Sequence, residues 1–360
     1  MRHRVVACAA LLLAATCTPA NLTPFLQAKA DAFVKPETLG GVILAIVERD
    51  GHVSAASAGH QSDAGPIPAD GRVRIGSVTK TFVAVVVLQL ADEGKISLDA
   101  SARTYVSDPG LPADVTVRNL LQHTSGIPNY VEQPGFADLV RPTPERAVTP
   151  QEVLGLLRDV PPLFEPGSKW SYSNTNYVYL GLLIEAVTGK PVERALRTRI
   201  IEPLGLRDTY LAGRERGPPV IHAPIVVGGD PYPYNYPYTS SATSTWTAGA
   251  MVSSAADLGA FFAALFDGRL ISNHALQQMK AIAPGSETKD PPAGYGLGLT
   301  VWTPAEYPGL TLYGHGGGVP GFSTLVFHDP DKGITYFAVC NDPRRDLKQT
   351  MLDMVGRMTG

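Results

Sequence analysis

The chain is poor in cysteine and has no excess of charge of either sign, and both shortages narrow what it can be. Only three cysteines occur in 360 residues. Cys8 and Cys17 lie in or beside an apolar N-terminal stretch, so a chain cleaved behind it keeps Cys340 alone and has no internal disulfide. Stability must then come from a core, which this length and 44% hydrophobic residues allow. Cys340 itself sits in the β-rich run GITYFAVCND and reads as a small buried apolar residue, not a nucleophile. A formal net charge of −3, with no stripe of lysine and arginine, excludes nucleic acid as a partner. No apolar run is long enough for a mature membrane span. There is no G-x-S-x-G elbow, which argues against an α/β-hydrolase. No H-E-x-x-H or similar histidine spacing occurs and no phosphate-binding loop, so neither a metal nor another cofactor is expected.

What is present begins with MRHRVVACAALLLAATCTPA. Arg2 and Arg4 precede an apolar stretch from Val5 to Ala15 and then small residues, the layout of a secretory signal peptide over residues 1–20 with cleavage after Ala20. The expectation is export to the periplasm or beyond the cell. A lipid anchor at Cys17 is the second reading, because Thr16 is bulkier than the residue usual before a lipidated cysteine.

Behind the leader, Leu22 to Val34 has amphipathic helical spacing, and GGVILAIVERDGHVSAASAG reads as a hairpin turning at Asp50-Gly51. Helical patterns follow at 80–93, 151–159, 176–188 and 192–200, with Gly94 and Gly189 as C-terminal caps. PYPYNYPYTSS, from Pro231, is a loop, since alternating proline supports neither sheet nor helix, and residues 231–238 are a candidate rim over a cleft. A helix is expected from Ala255 to Leu265. The strands YGLGLTVW, LTLYGHGG, FSTLVFHD and GITYFAVCN come next, and a last helix near 346–357 closes the chain. Strands first and last with helices between predict an α+β fold: an antiparallel sheet flanked by helices, with an inserted helical subdomain. Residues 21–360 are then one catalytic domain, with the sheet part at about 21–76 and 211–360 and the helical part at about 77–210.

In RIGSVTKTFVAVVVLQLADEG, Ser77 and Lys80 are one helical turn apart at the head of a segment apolar all round. A lysine poorly hydrated at such an edge favours its neutral form, and a neutral amine can take a proton from a serine hydroxyl. The spacing alone is weak: SETK at Ser286 to Lys289 matches equally well, but lies in a proline-rich stretch with no helix behind it. Ser77 needs a proton relay and an oxyanion site. EPGSKWSYSNTNYVYLGLLIEAVTG supplies Tyr172 and Asn174 before a helix, and LTLYGHGGGVPGFSTLVF supplies His315, Gly316, Gly317 and Gly318 at the end of a strand. Each group alone is an ordinary turn. His123, in LLQHTSG, reads as a structural hydrogen-bonding residue, not as a base.

SVTK, YSN and HGG in that order resemble the serine β-lactamase and penicillin-binding family, in the branch of class C β-lactamases, D-alanyl-D-alanine carboxypeptidases and related esterases. LLQHTSGIPNY, IIEPLGLRDTY and GHGGGVPGFST also resemble that branch. The resemblance implies Ser77 as acylated nucleophile, Lys80 as its activator, Tyr172 as general base and acid, and Asn174 as a contact to the substrate amide. It implies backbone N–H groups of Ser77 and Gly318 as the oxyanion hole. His315 takes the place of a basic residue that meets a substrate carboxylate, beside Gly316 and Gly317, and Asn341 is a further candidate contact. Here the third box is HGG and not lysine-threonine, which weakens the case for efficient β-lactam hydrolysis. The expected function is an exported serine hydrolase acting through an acyl-enzyme on D-alanyl-D-alanine-type peptides, including peptidoglycan-derived ones, or on small esters. A class C-like β-lactamase and a non-catalytic peptidoglycan or β-lactam sensor are the alternatives.

Overall fold

The computed structural model describes residues 21–61, 65–140, 146–223, 225–227, 230–232, 239–289, 292–342 and 345–359. The leader reading, with Cys17, and the greater part of the 231–238 loop lie outside the described residues. Among those described, no helix is long and apolar enough to cross a membrane.

The two ends of the chain build one antiparallel sheet, and the middle supplies most of the helices. Five helices matter for the site: α1 Thr23–Phe33, α2 Thr79–Asp92, α3 Asn174–Thr188, α4 Ala255–Phe266 and α5 Lys348–Thr359. The sheet strands are β1 Gly41–Val47, β2 Val53–Gly59, β3 Thr288–Lys289, β4 Pro292–Tyr295, β5 Thr300–Trp302, β6 Leu312–Val319, β7 Phe322–Asp329 and β8 Ile334–Cys340. Their spatial order is β2-β1-β8-β7-β6-β5-β4-β3. The seam lies between β1 and β8, with Val42 opposite Cys340 and Val47 opposite Thr335.

Strand β1, GVILAIV, is buried along its whole length because helices cover both faces of the sheet. The period of two divides its side chains cleanly. Val42, Leu44 and Ile46 join Leu26, Phe33, Met351 and Val355 from α1 and α5, whereas Ile43 and Ala45 join the larger cluster with α2 and α4. Burial of each Val, Leu or Ile side chain stabilises the fold by about 1.5–3 kcal/mol. Cys340 belongs to the first cluster and is free, and burial pushes its thiol up to about 11, which suits a packing residue.

Helix α2 explains its own composition. Every residue from Thr79 to Leu88 is buried, and Phe82 stacks on Phe261 of α4 with ring centroids 3.7 Å apart. A helix threaded through the core has no polar face to present.

Several sequence expectations shift. The helix expected at 151–159 stops at Gly155, and the one expected at 192–200 is α-helical only to Leu196 before widening through Ile201. YGLGLTVW is split: β4 ends at Tyr295 and β5 begins at Thr300, because the intervening turn leaves the sheet to donate from Gly298 N to Leu121 O. Helices Thr239–Gly249 and Asn273–Lys280 have no counterpart in the sequence reading. In the SETK copy, Ser286 is buried in a turn and Lys289 is exposed on the edge strand, with no helix behind them.

Candidate active site

Ser77 stands on a short 3₁₀ turn, Gly76–Val78, that runs directly into α2. The turn is tied down from outside: Ile75 N donates to Met251 O, and Met251 N donates to Thr79 Oγ1, each at 3.0 Å. One turn on, Lys80 is fully buried. Its Nζ lies 2.9 Å from Ser77 Oγ, 2.8 Å from Asn174 Oδ1 and 2.6 Å from Ala248 O. None of these partners is charged, so burial pushes the lysine pKa well below its ordinary value. The amide and carbonyl oxygens can only accept, so they take two N–H bonds of the amine, and its depressed pKa favours the neutral form.

Ala248 O is a partner that the sequence reading misses, since a backbone carbonyl has no residue signature. It is delivered by the helix Thr239–Gly249, which kinks at Trp246 (φ 37°, ψ −121°). The buried indole packs where α3 has Gly181, whose absent Cβ would lie 2.7 Å from the ring.

Tyr172 and Asn174 lie on the turn before α3. The Tyr172 hydroxyl hydrogen-bonds Ser77, and its ring centroid is 5.0 Å from Lys80 Nζ. Burial raises the phenol pKa, so Tyr172 holds its proton in the resting site. Asn174 accepts from Lys80 through Oδ1 and donates to Asn129 Oδ1 through Nδ2 at 3.2 Å, which leaves one amide hydrogen for a substrate carbonyl. Asn129 also accepts from Asn174 N at 3.1 Å and is anchored to Glu132, so it orients the amide. The sequence reading gives it no role, because an asparagine between Pro128 and Tyr130 reads as a turn residue.

Strand β6 brings the HGGG segment against the nucleophile's turn. At Gly317 a Cβ would lie 2.1 Å from Ile75 O, and at Gly76 (φ +52°) one would lie 2.8 Å from Gly318 N. Both glycines are there because two backbones touch. Gly318 N consequently borders the Ser77 turn, while the Gly316 carbonyl is engaged by the His315 ring.

Two of the expected substrate contacts are already engaged by their surroundings. His315 is buried; its Nδ1 faces Gly316 O and must donate, so its Nε2 accepts from Tyr295 Oη at 2.8 Å. No ring N–H is left for a carboxylate, and burial holds its pKa down to about 3. Asn341 is also buried. Its Oδ1 accepts from Gly41 N and its Nδ2 donates to His60 O and His222 O, so it knits the sheet to neighbouring loops and offers nothing to a substrate.

The buried histidines make stability pH-dependent. His315 at about 3, His328 at about 4 and His123, well below its ordinary value, all stay neutral in the native state because burial disfavours the charge. Unfolded, each titrates near 6.5. The unfolded chain therefore binds more protons as pH falls below that value, and stability present above 6.5 is lost toward pH 4. At pH 5 His315 and His328 each contribute about 2 kcal/mol to the loss, and His123 adds to it in the same direction. Calorimetry at constant ionic strength should show Tm falling from pH 7 to pH 5; a flat profile would contradict the buried, neutral assignment.

With the site's geometry in view, comparison with known proteins defines its class. The Beta-lactamase family model matches residues 26–354. The chain belongs to that family. It is 26% identical to penicillin-binding protein 4* of Bacillus subtilis (strain 168) over 77% of this chain and 62% of that protein. It is 33% identical to esterase EstB of Burkholderia gladioli over 54% of this chain and 53% of that protein. It thus spans between about half and three fifths of the length of these two curated relatives. The structure of a D-stereospecific amidohydrolase from Streptomyces sp. matches with a TM-score of 0.80 and 32% identity, over 92% of this chain and 97% of that one.

Proposed function

We propose that this chain is a serine hydrolase acylated at Ser77 by amides or esters whose leaving group bears no free carboxylate, with D-amino acid amides as the first substrates to test. The observation that carries the reading is the Lys80 amine, fully buried and pinned by two acceptor-only oxygens with Ser77 Oγ at 2.9 Å. Ser77 Oγ attacks the carbonyl carbon and its proton passes to Lys80 Nζ. The backbone N–H groups of Ser77 and Gly318 hold the oxyanion, and the remaining Asn174 hydrogen orients the acyl part. Tyr172, a phenol in the resting site, relays a proton to the departing nitrogen or oxygen, and water then hydrolyses the ester on Ser77.

The substrate class follows from His315. A penicillin, or a peptide ending in D-alanine, brings a carboxylate to the place where the family's third box offers a cation, and this histidine has no N–H to give. A lost charged hydrogen bond is worth about 1.5–3 kcal/mol, or roughly ten- to 100-fold in specificity. An amide or ester without that carboxylate loses nothing. Two relatives support the direction, one named an esterase and the other a D-stereospecific amidohydrolase. Export rests on the basic, apolar and small residues of positions 1–20.

The test is intact mass spectrometry and turnover with D-phenylalanine amide, p-nitrophenyl esters, a D-alanyl-D-alanine peptide and penicillin, beside a fluorophosphonate probe. A single adduct on the parent, absent from Ser77→Ala, is expected, with amide or ester turned over faster than penicillin. Unchanged labelling of Ser77→Ala would remove the nucleophile assignment. Faster hydrolysis of penicillin or the D-alanyl-D-alanine peptide would overturn the leaving-group rule.

A further inference from the structure

We infer that His123 is a positioning residue for the Tyr172–Asn174 turn, its backbone carbonyl and imidazole Nδ1 together setting where the phenol and the amide meet Ser77 and Lys80. The inference rests on the reading of Ser77 as nucleophile. One residue grips the turn on both sides of Tyr172. His123 O accepts from Ser171 N at 3.0 Å, and His123 Nδ1 accepts from Ser173 N at 3.2 Å. The same nitrogen faces the Asn176 side-chain amide at 3.1 Å, and the imidazole packs on the Tyr172 ring with centroids 4.3 Å apart. Both backbone neighbours of Tyr172 and its ring are therefore referenced to one residue, Ser171 through its carbonyl and Ser173 and the ring through its imidazole.

Two further features go beyond ordinary packing. His123 has φ +62°, a left-handed backbone that few residues other than glycine adopt, asparagine and histidine among them. Its Nε2 is buried without a hydrogen-bond partner. Such an orphaned group is destabilising, which packing alone would not retain. With Nδ1 accepting from a backbone N–H, the ring is neutral and carries its hydrogen on Nε2. Lys80 of α2, Tyr172 of the turn, Tyr177 of α3, Tyr295 of β4 and His315 of β6 are the titratable groups around it. A positive charge there would oppose the protonation of Lys80 that accompanies attack by Ser77.

The test uses the full chain with His123→Ala and His123→Asn, measuring fluorophosphonate labelling of Ser77 as kinact and KI between pH 5.5 and 8.5. Asparagine tolerates the left-handed backbone and can place an amide oxygen near the Nδ1 position. In His123→Ala, kinact is expected to fall about 100-fold, as for a misplacement of about 1 Å, with KI within about threefold of the parent. His123→Asn should recover at least about tenfold of that loss and keep the parent's acid limb. Equal kinact in parent and His123→Ala, a loss confined to KI, or no recovery by asparagine would overturn the inference. So would an acid limb displaced in His123→Asn, since His123 would then titrate during the reaction. If His123→Ala does not fold, the asparagine variant decides: kinact within about tenfold of the parent supports positioning, and a larger loss overturns it. A parent that is not labelled at Ser77 refutes the hydrolase reading instead.

Discussion

Lys80→Met is expected to slow acylation of Ser77 by about 10³-fold, within the range that a positioned general base supplies. Methionine nearly matches the volume and keeps the apolar stem, so the buried helix α2 has no cavity to close. It removes the amine that lies 2.9 Å from the serine hydroxyl. Stability receives two opposing contributions. Asn174 Oδ1 and Ala248 O lose their donor, which is destabilising by about 1–3 kcal/mol for each acceptor left dry. Against this, burial holds the parent's lysine pKa well below 10.5, the value at which the unfolded chain titrates. That depressed native pKa weakens the parent progressively as pH falls from 10.5, and the thioether, which does not titrate, removes the dependence. The variant should thus gain on the parent in Tm as pH is lowered, while fluorophosphonate labelling stays slow throughout. Labelling within about tenfold of the parent, in a folded variant, would show that another group takes the serine proton.

Gly317→Ala should reduce turnover by about 10²–10³-fold, the effect of losing one oxyanion donor. A methyl at Gly317 would stand 2.1 Å from Ile75 O and 3.3 Å from Ser77 N, so either β6 or the nucleophile's turn has to retreat. Whichever moves, the oxyanion hole proposed for the N–H groups of Ser77 and Gly318 is pulled apart. Overpacking of this kind also destabilises by about 1–3 kcal/mol, so the turnover must be compared at a temperature where both proteins are folded. The neighbouring position is the control. Nothing lies within 4 Å of a Cβ at Gly318, and Gly318→Ala keeps the N–H; its Tm should match the parent's and labelling by a small fluorophosphonate should fall no more than about threefold. If the two alanines behaved alike, the close approach of β6 to Ile75 would have no bearing on the chemistry.

The reach of the sequence differs sharply from one site residue to the next. Ser77 and Lys80 are legible because their relation is local: three positions on one helical turn, at the head of a run that could only be buried. His123 reads as a structural hydrogen-bonding residue, and its bonds to Ser173 and Asn176 agree with that. His315 and Asn341, read from the sequence as substrate contacts, are held by protein partners. Their partners, Tyr295 for one and Gly41, His60 and His222 for the other, arrive from remote stretches of chain that no local pattern connects. Helix Thr239–Gly249 escapes the sequence for a related reason. TSSATSTWTAG is weak in intrinsic helix formers, and burial of Trp246 against α3 holds it in place.

Composition, periodicity and glycine placement by themselves determined an α+β chain closing one sheet from its two ends, a buried helix with a serine and a lysine at its head, and a free, inert Cys340. These are properties of short segments and of which faces must leave water. Only the tertiary structure decided how the site's side chains are solvated and partnered. Burial drives the Lys80 pKa down, and Gly316 O and Tyr295 Oη occupy the His315 ring, through contacts that folding brings together from remote parts of the chain and the water it removes.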